Sequence, residues 1–394
     1  MSSPLSSSTR TPAPLEGLKV LDFSTLLPGP YATQMLADMG AEVLRVESPS
    51  RADIVREMKP QLDGQSAAFH YLNRGKKSLA LDLKNEASKV IVEQLIKSYD
   101  VLVEQFRPGV MDRLGLGYAQ VKAVNPGIIY CSITGYGQDG PMAQSAGHDI
   151  NYLSRSGISS YLGRSDAGPV PLPIQVADIS GGSMNAVTAI LAALFERQHS
   201  DQGQHIDISM TDSCFAMNAL FGPGALQQER SPAPQDNFLT GAGIYDYYRT
   251  SDQRYLSVGS LEPQFRQRLC QAVGQPDWSA LSDEDLKTRL TKLFLTKSLH
   301  HWQSVFESSD ACVEPVLTLN EAAESDLMQQ RQMVTRVGGN SGHDQIACPV
   351  RFSGVRPQPR TLAPASGQHT QEVLRDLGYS DTDLIQLEQQ GVFK

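Results

Sequence analysis

From residue 18 to residue 133, short apolar runs alternate with segments of helical period. That alternation constrains the fold more than any other feature of the chain. Residues 18–23, 41–46, 78–83, 101–103 and 128–133 read as strands. Between them, 28–39 has helical spacing, with Pro28 in its first turn and Gly40 as its stop. Residues 85–97 read as a helix capped by Asn85, and shorter helices are predicted over 108–114 and 118–124. The pattern predicts an α/β fold, a mostly parallel sheet with helices on both faces. A long helix is expected from Ser180 to about residue 198, on the spacing of Val187, Ile190, Leu191, Leu194 and Phe195. A strand follows at 205–210.

At 394 residues the chain is too long for one ordinary core, so two domains are expected. Residues 1–14, rich in Ser, Thr and Pro, read as a disordered tail. Residues 15–222 form the large domain, and 223–243, rich in Pro, Gly, Gln and Ser, a linker. A smaller α+β domain spans 244–337, with a strand at 255–259 and helices near 263–273, 283–296 and 299–307. A second linker covers 338–367. Residues 368–394 return to the large domain as two helices parted at Gly378.

The net charge of −9 argues against nucleic acid or an anionic membrane as partner. No unbroken apolar run approaches the roughly 20 residues of a membrane span. The cysteines Cys131, Cys214, Cys270, Cys312 and Cys348 are scattered without a CxxC pair. Neither a disulfide framework nor a zinc site is expected, and a reducing compartment fits. The first residues lack the apolar core of a signal peptide, so a cytoplasmic location is expected. Gly135 to Gly140 matches G-x-G-x-x-G behind a strand, but Pro141 follows and no acidic residue ends a strand about 20 residues on. It reads as a turn, not a dinucleotide site. His300–His301 and His148–Asp149 lack ligand spacing, so no metal and no cofactor is expected.

Residues that carry chemistry gather between 147 and 184. Gly147, His148, Asp149, Ile150, Asn151 and Tyr152 open the stretch, and Asp178 with Gly181, Gly182 and Ser183 closes it. Asp178 is expected at a helix N-terminus, where unpartnered N–H groups favour a negative oxygen. Gly181 and Gly182 are expected to admit a ligand close to the backbone. A histidine, a carboxylate and free N–H donors are the parts for proton abstraction beside a carbonyl. Each has an ordinary alternative: His148 as a loop histidine, Asp178 as a helix cap, and Glu262 as a solvated helix-start acid. Arg45, Lys84, Arg107 and Arg113 fall at or just after strand ends, where ligands bind in open α/β sheets, though surface basic residues need no such role.

Several segments carry a family resemblance in order along the chain. They are residues 15–22, Pro28-Gly29-Pro30, 36–43, 73–78, Arg107-Pro108-Gly109, 135–141, His369-Thr370 and 374–378. Together they resemble the family III CoA-transferases, a group that includes formyl-CoA and carnitine CoA-transferases and the α-methylacyl-CoA racemases. The racemase branch is marked by Gly-His-Asp-Ile-Asn-Tyr, by an Asp ahead of Gly-Gly-Ser-Met, and by Glu-Pro-Gln-Phe. This chain has all three, at His148, Asp178 and Glu262. Transferases usually carry an aromatic residue at the position of His148.

The resemblance implies a Rossmann-like large domain, a smaller domain, and a homodimer of interlocked chains with each site shared between them. It makes His148 and Asp178 the acid/base pair, with Glu262 hydrogen-bonded in the site. It assigns coenzyme A, as part of the substrate, to Arg45, Leu81, Asp82, Leu83, Lys84, Gln105, Phe106, Arg107, Arg113, Gly147, Asp149, Ile150, Asn151 and Tyr152. The implied reaction is racemisation of 2-methylacyl-CoA by proton transfer through an enolate. The runner-up is CoA transfer with Asp178 as nucleophile, and a third reading is a non-catalytic CoA-binding module.

Overall fold

A computed structural model describes residues 12–228, 230–353, 357–359 and 361–393. Of the tail expected at 1–14, residues 1–11 lie outside the described residues. By contact the chain divides into two units. Of the described residues, the first comprises those within 1–153, 173–216 and 327–394, and the second those within 154–172 and 217–326.

In the first unit the predicted strands form one six-stranded sheet. These are β1 (Lys19–Asp22), β2 (Glu42–Glu47), β3 (Lys76–Ala80), β4 (Val101–Glu104), β5 (Ile129–Thr134) and β6 (His205–Ser209). Their order is β3-β2-β1-β4-β5-β6 and every pairing is parallel. This is the doubly wound Rossmann order, and it reverses between β1 and β4. The strands from β3 to β5 in that order are buried almost throughout because both faces are covered, Val20, Leu21, Leu44, Leu79, Leu102 and Ile133 among them, whereas edge strand β6 alternates buried and exposed residues. Helix α1 (Pro28–Asp38) begins on Pro28, and α2 (Glu86–Ile96) is capped by the Asn85 side chain, which accepts from the Ala87 N–H.

The C-terminal residues close one face of this sheet. Helices α3 (Thr370–Asp376) and α4 (Asp381–Gln389) place Leu374, Leu384, Leu387, Val392 and Phe393 in a core with Leu21, Leu44, Ile91 and Leu102. Gly378, at φ 95°, makes the turn between them, a conformation that suits glycine. Leu374 is fully buried. Its replacement by alanine should lower stability by about 2–5 kcal/mol, measured as a shift in denaturation midpoint at unchanged slope.

A 24-residue helical stretch, Ala177–Ser200, is long and apolar enough to cross a bilayer by length and composition alone. Its hydropathy is spread among Ser, Asn and Thr, so a search for unbroken apolar runs passes over it. Within the unit, Ala186, Val187, Ile190 and Ala193 form its buried stripe.

In the second unit three antiparallel strands, Asp246–Arg249, Tyr255–Val258 and Val313–Pro315, pack on helices Pro263–Ala272, Asp283–Phe294 and Leu299–Phe306. At its centre Phe294 meets Trp302 and Phe306 edge to face, and the Trp302 indole N–H donates to the Phe294 carbonyl. Residues 154–172, expected in the large domain, group with this unit instead. Their ties are non-local: Arg164 pairs with Asp246, Ser165 donates to Gln235, and Tyr161 donates to Asn218. Residues 327–337, expected in the small domain, group with the first unit. There Val334–Val337 forms a hairpin with His343–Ile346. Part of the expected linker at 223–243 is helical, over Gly222–Gln228.

Candidate active site

A cavity of about 440 Å³ lies in the first unit, at the carboxyl ends of β1, β4 and β5. This is the crevice that the strand-order reversal predicts. Leu26 and Pro28 come from the loop after β1, Gln105 to Pro108 from the loop after β4, and Thr134 to Tyr136 from the end of β5. His148, Asn151, Tyr152, Asp178 and Met210 complete its wall. His148 and Asp178 therefore open onto one space.

His148 precedes helix α5 (Asp149–Arg155), where its backbone is pinned at both ends. Its N–H donates to Asn151 Oδ1 at 3.0 Å, and its carbonyl accepts from the Asn151 N–H at 2.8 Å. The imidazole is on an exposed residue. The Tyr152 hydroxyl donates to the Gly147 carbonyl at 2.6 Å, and its ring meets Tyr136 edge on at 5.2 Å. A Cβ on Gly135 or Gly147 would stand 2.3 or 2.6 Å from that ring. The two glycines are thus what lets Tyr152 close against both loops. Burial, and then the charge of Asp178, pushes the Tyr152 phenol up to about 12, so it remains a neutral donor.

Asp178 stands in the first turn of a π-helical segment, Ala177–Met184, that runs into α6 (Asn185–Ser200). Such π-turns recur at functional sites. Burial, and then the neighbouring charge of Asp149, pushes its carboxyl up to about 7. At neutral pH it is present in both the acid and the base form.

The free N–H groups expected around Asp178 are not free. Asp149 Oδ1 accepts from Ala177 N at 2.6 Å and from Asp178 N at 3.1 Å. The glycines also have a different use from the one expected. A Cβ on Gly181 would stand 3.2 Å from the Met210 carbonyl, and one on Gly182 3.0 Å from the Pro28 side chain. They bring the helix onto its neighbours, and Ser183 Oγ donates to the Pro28 carbonyl at 2.7 Å.

Of the residues assigned to coenzyme A, Gln105, Phe106, Arg107, Gly147, Asn151 and Tyr152 line the cavity. Arg45, Leu81, Asp82, Leu83, Lys84, Arg113, Asp149 and Ile150 are not among its lining. Arg45 has no exposed surface to offer a ligand. It donates to Asp53 Oδ2 at 2.5 Å and Asn73 Oδ1 at 2.6 Å. The same Asp53 oxygen accepts from the Leu26 N–H at 3.1 Å, holding Leu26 at φ 62° on the cavity wall. Leu81 is fully buried, and the Asp82 N–H donates to the Val392 carbonyl. Glu262 belongs to the second unit, exposed at the start of helix Pro263–Ala272, and its side chain makes no capping bond there.

Sequence reasoning missed Leu26, Tyr136 and Met210 on the wall. It also missed Glu104, a buried acid ending β4 that accepts from the Phe106 N–H at 2.8 Å. An acidic residue closing an apolar strand was the available signal. Burial pushes its carboxyl up to about 7.

A sequence model described as CoA-transferase family III matches residues 15–370. The α-methylacyl-CoA racemase of Homo sapiens is 35% identical over 392 residues, covering 95% of this chain and 96% of that protein. The acetyl-CoA:oxalate CoA-transferase of Acetobacter aceti is 32% identical over 366 residues, covering 89% and 92%. Among solved structures, a CAIB/BAIF family protein from Brucella suis superposes with a TM-score of 0.82 at 28% identity, covering 93% of this chain and all of that one.

Proposed function

The chain belongs to CoA-transferase family III, and within that family we propose that it racemises 2-methylacyl-CoA thioesters by moving the Cα proton between His148 and Asp178. One observation carries this reading. His148 opens onto the same cavity as the Asp178 carboxyl, which burial pushes up to about 7. One group takes the Cα proton from one face, and the electron pair passes to the thioester oxygen as an enolate. The other group, protonated, returns a proton to the opposite face. The enolate oxygen needs donors other than the Ala177 and Asp178 amides, which Asp149 occupies. The Asp149 amide, directly after His148, is the backbone donor we assign to it, since the Asn151 amide is already bonded to the His148 carbonyl. Arg107 brings a guanidinium to the wall and suits the anionic end of coenzyme A.

CoA transfer is the second reading, favoured by relatives such as the oxalate enzyme. It would use Asp178 as nucleophile, forming a mixed anhydride and then an aspartyl thioester. A carboxyl half neutral at pH 7 suits proton transfer better than nucleophilic attack. The deciding assay offers a panel of 2-methylacyl-CoA esters in D2O without an acceptor acid. A racemase washes deuterium into Cα and interconverts the epimers. Acceptor-dependent CoA transfer with no Cα exchange on any ester would leave only the family and the cavity.

Neither a metal nor a cofactor takes part in this scheme. Among the described residues no group of three or more His, Cys, Asp or Glu side chains could hold a metal ion. Activity should therefore persist after exhaustive chelation, and loss on EDTA with recovery on a divalent ion would contradict the scheme.

The active form in this proposal is a homodimer of interlocked chains, with Glu262 supplied to each site by the partner. On the single chain Phe195, Leu220 and Leu226 are all more than half exposed, as large apolar side chains destined for a subunit contact would be.

A further inference from the structure

We propose that Asp149 is a positioning residue that acts through Asp178, fixing its backbone and holding its carboxyl in a proton-exchanging state. The proposal rests on the reading of Asp178 as the reactive carboxyl. The link spans two elements. Asp149 follows His148 at the start of α5, and its Oδ1 accepts both first-turn amides of the helix that carries Asp178. A single carboxylate oxygen thus ties the segment bearing one acid/base residue to the segment bearing the other. A cap across 29 residues of sequence is a tertiary strut, unlike the local caps on the other helices.

The charge on that strut acts as well as its geometry. Two carboxylates in a partly buried site disfavour each other's ionised form. Asp149 is the charged neighbour behind the upward shift of Asp178, second only to burial. Asp149 is itself pushed up by burial, but its bonds from the Asp178 and Ala177 amides favour its anion. The proton is therefore directed to Asp178, the carboxyl on the cavity. The other titratable groups around Asp178 are Tyr152 on α5 and Cys214 on the helix Met210–Ala216, both pushed toward their neutral forms by burial. His148 shares its cavity, and so does Arg107. Among the described residues, no charged group on α1, α6, β5 or β6 contributes to its shift.

Asparagine and alanine separate the two roles. Asp149→Asn keeps an oxygen to accept the two amides and removes the charge, whereas Asp149→Ala removes both. In full-length protein labelled with 13C-carboxyl aspartate, the Asp178 acid band is read as the infrared difference from Asp178→Asn. The wild-type band should titrate near pH 7. In Asp149→Asn its midpoint should fall by about one pH unit or more, and the acid limb of kcat/KM for exchange should move down with it. In Asp149→Ala the midpoint should fall too, and kcat should drop well below that of Asp149→Asn because the strut is gone. A midpoint unmoved in Asp149→Asn, equal kcat in the two variants, or a wild-type band titrating in the ordinary carboxylate range would overturn the proposal. The infrared reading needs no turnover. If wild type shows no Cα exchange but the band shifts as expected, the racemase reading fails while the role of Asp149 stands.

Discussion

Replacement of His148 by alanine should abolish interconversion of the two 2-methylacyl-CoA epimers. One face of the Cα would lose its acid/base, and a positioned general acid or base contributes about 10²- to 10⁴-fold. Asp178 remains, so slow deuterium incorporation without inversion should survive from one epimer only. Wild-type enzyme needs one proton shared over the pair, since one group must give while the other takes. Doubly protonated or fully deprotonated enzyme is inactive, so kcat/KM should be bell-shaped. Both directions should share that profile, because their ratio is an equilibrium constant that protons do not change. Asp178, raised to about 7, is neutral below that pH and ionised above it. One limb should therefore fall near neutrality, and it belongs to the pair rather than to one residue. Interconversion by His148→Ala within about tenfold of wild type would remove His148 from the mechanism.

The inner strands were legible because they carry short apolar runs bounded by turn residues, and a doubly buried strand needs no partner to declare itself, while the edge strand at 205–209 shows instead as an alternation of apolar and polar residues. Position in the sheet was not, since pairings such as Leu21 with Leu102 join residues far apart in sequence. The site was legible in its residue types and misread in its contacts. His148 and Asp178 share a cavity, as the proton-transfer reading requires. Asp178 was expected to point its helix amides at a ligand, and only the fold brings Asp149 to them. Arg45 looked like a ligand cation because it is basic and falls at the end of a predicted strand, and because the family resemblance assigns it to coenzyme A. Its actual partners, Asp53 and Asn73, arrive 8 and 28 residues later, and no periodicity announces them. Residues 154–172 were misplaced for the same reason, because Arg164 finds Asp246 82 residues on.

Mixing two inactive chains should restore activity if the site is completed by a partner. Glu262 is exposed in the second unit, caps nothing on its own helix and is not among the cavity's lining residues. A residue assigned to the reaction but absent from the wall must be brought to it or stay out of the chemistry, and in this proposal the partner chain brings it. In a twofold dimer each interface contact occurs twice, so each chain would give one Glu262 and receive one. A His148→Ala chain and a Glu262→Ala chain should each form inactive homodimers. Their heterodimer would hold one doubly damaged site and one intact site, giving about half the wild-type rate per dimer. Separate affinity tags on the two chains allow the heterodimer to be isolated after co-expression. Sedimentation of wild type should show the dimer on which this rests. If the purified heterodimer is as inactive as its parents, Glu262 acts within its own chain. Full activity of the Glu262→Ala homodimer would instead show that it takes no part.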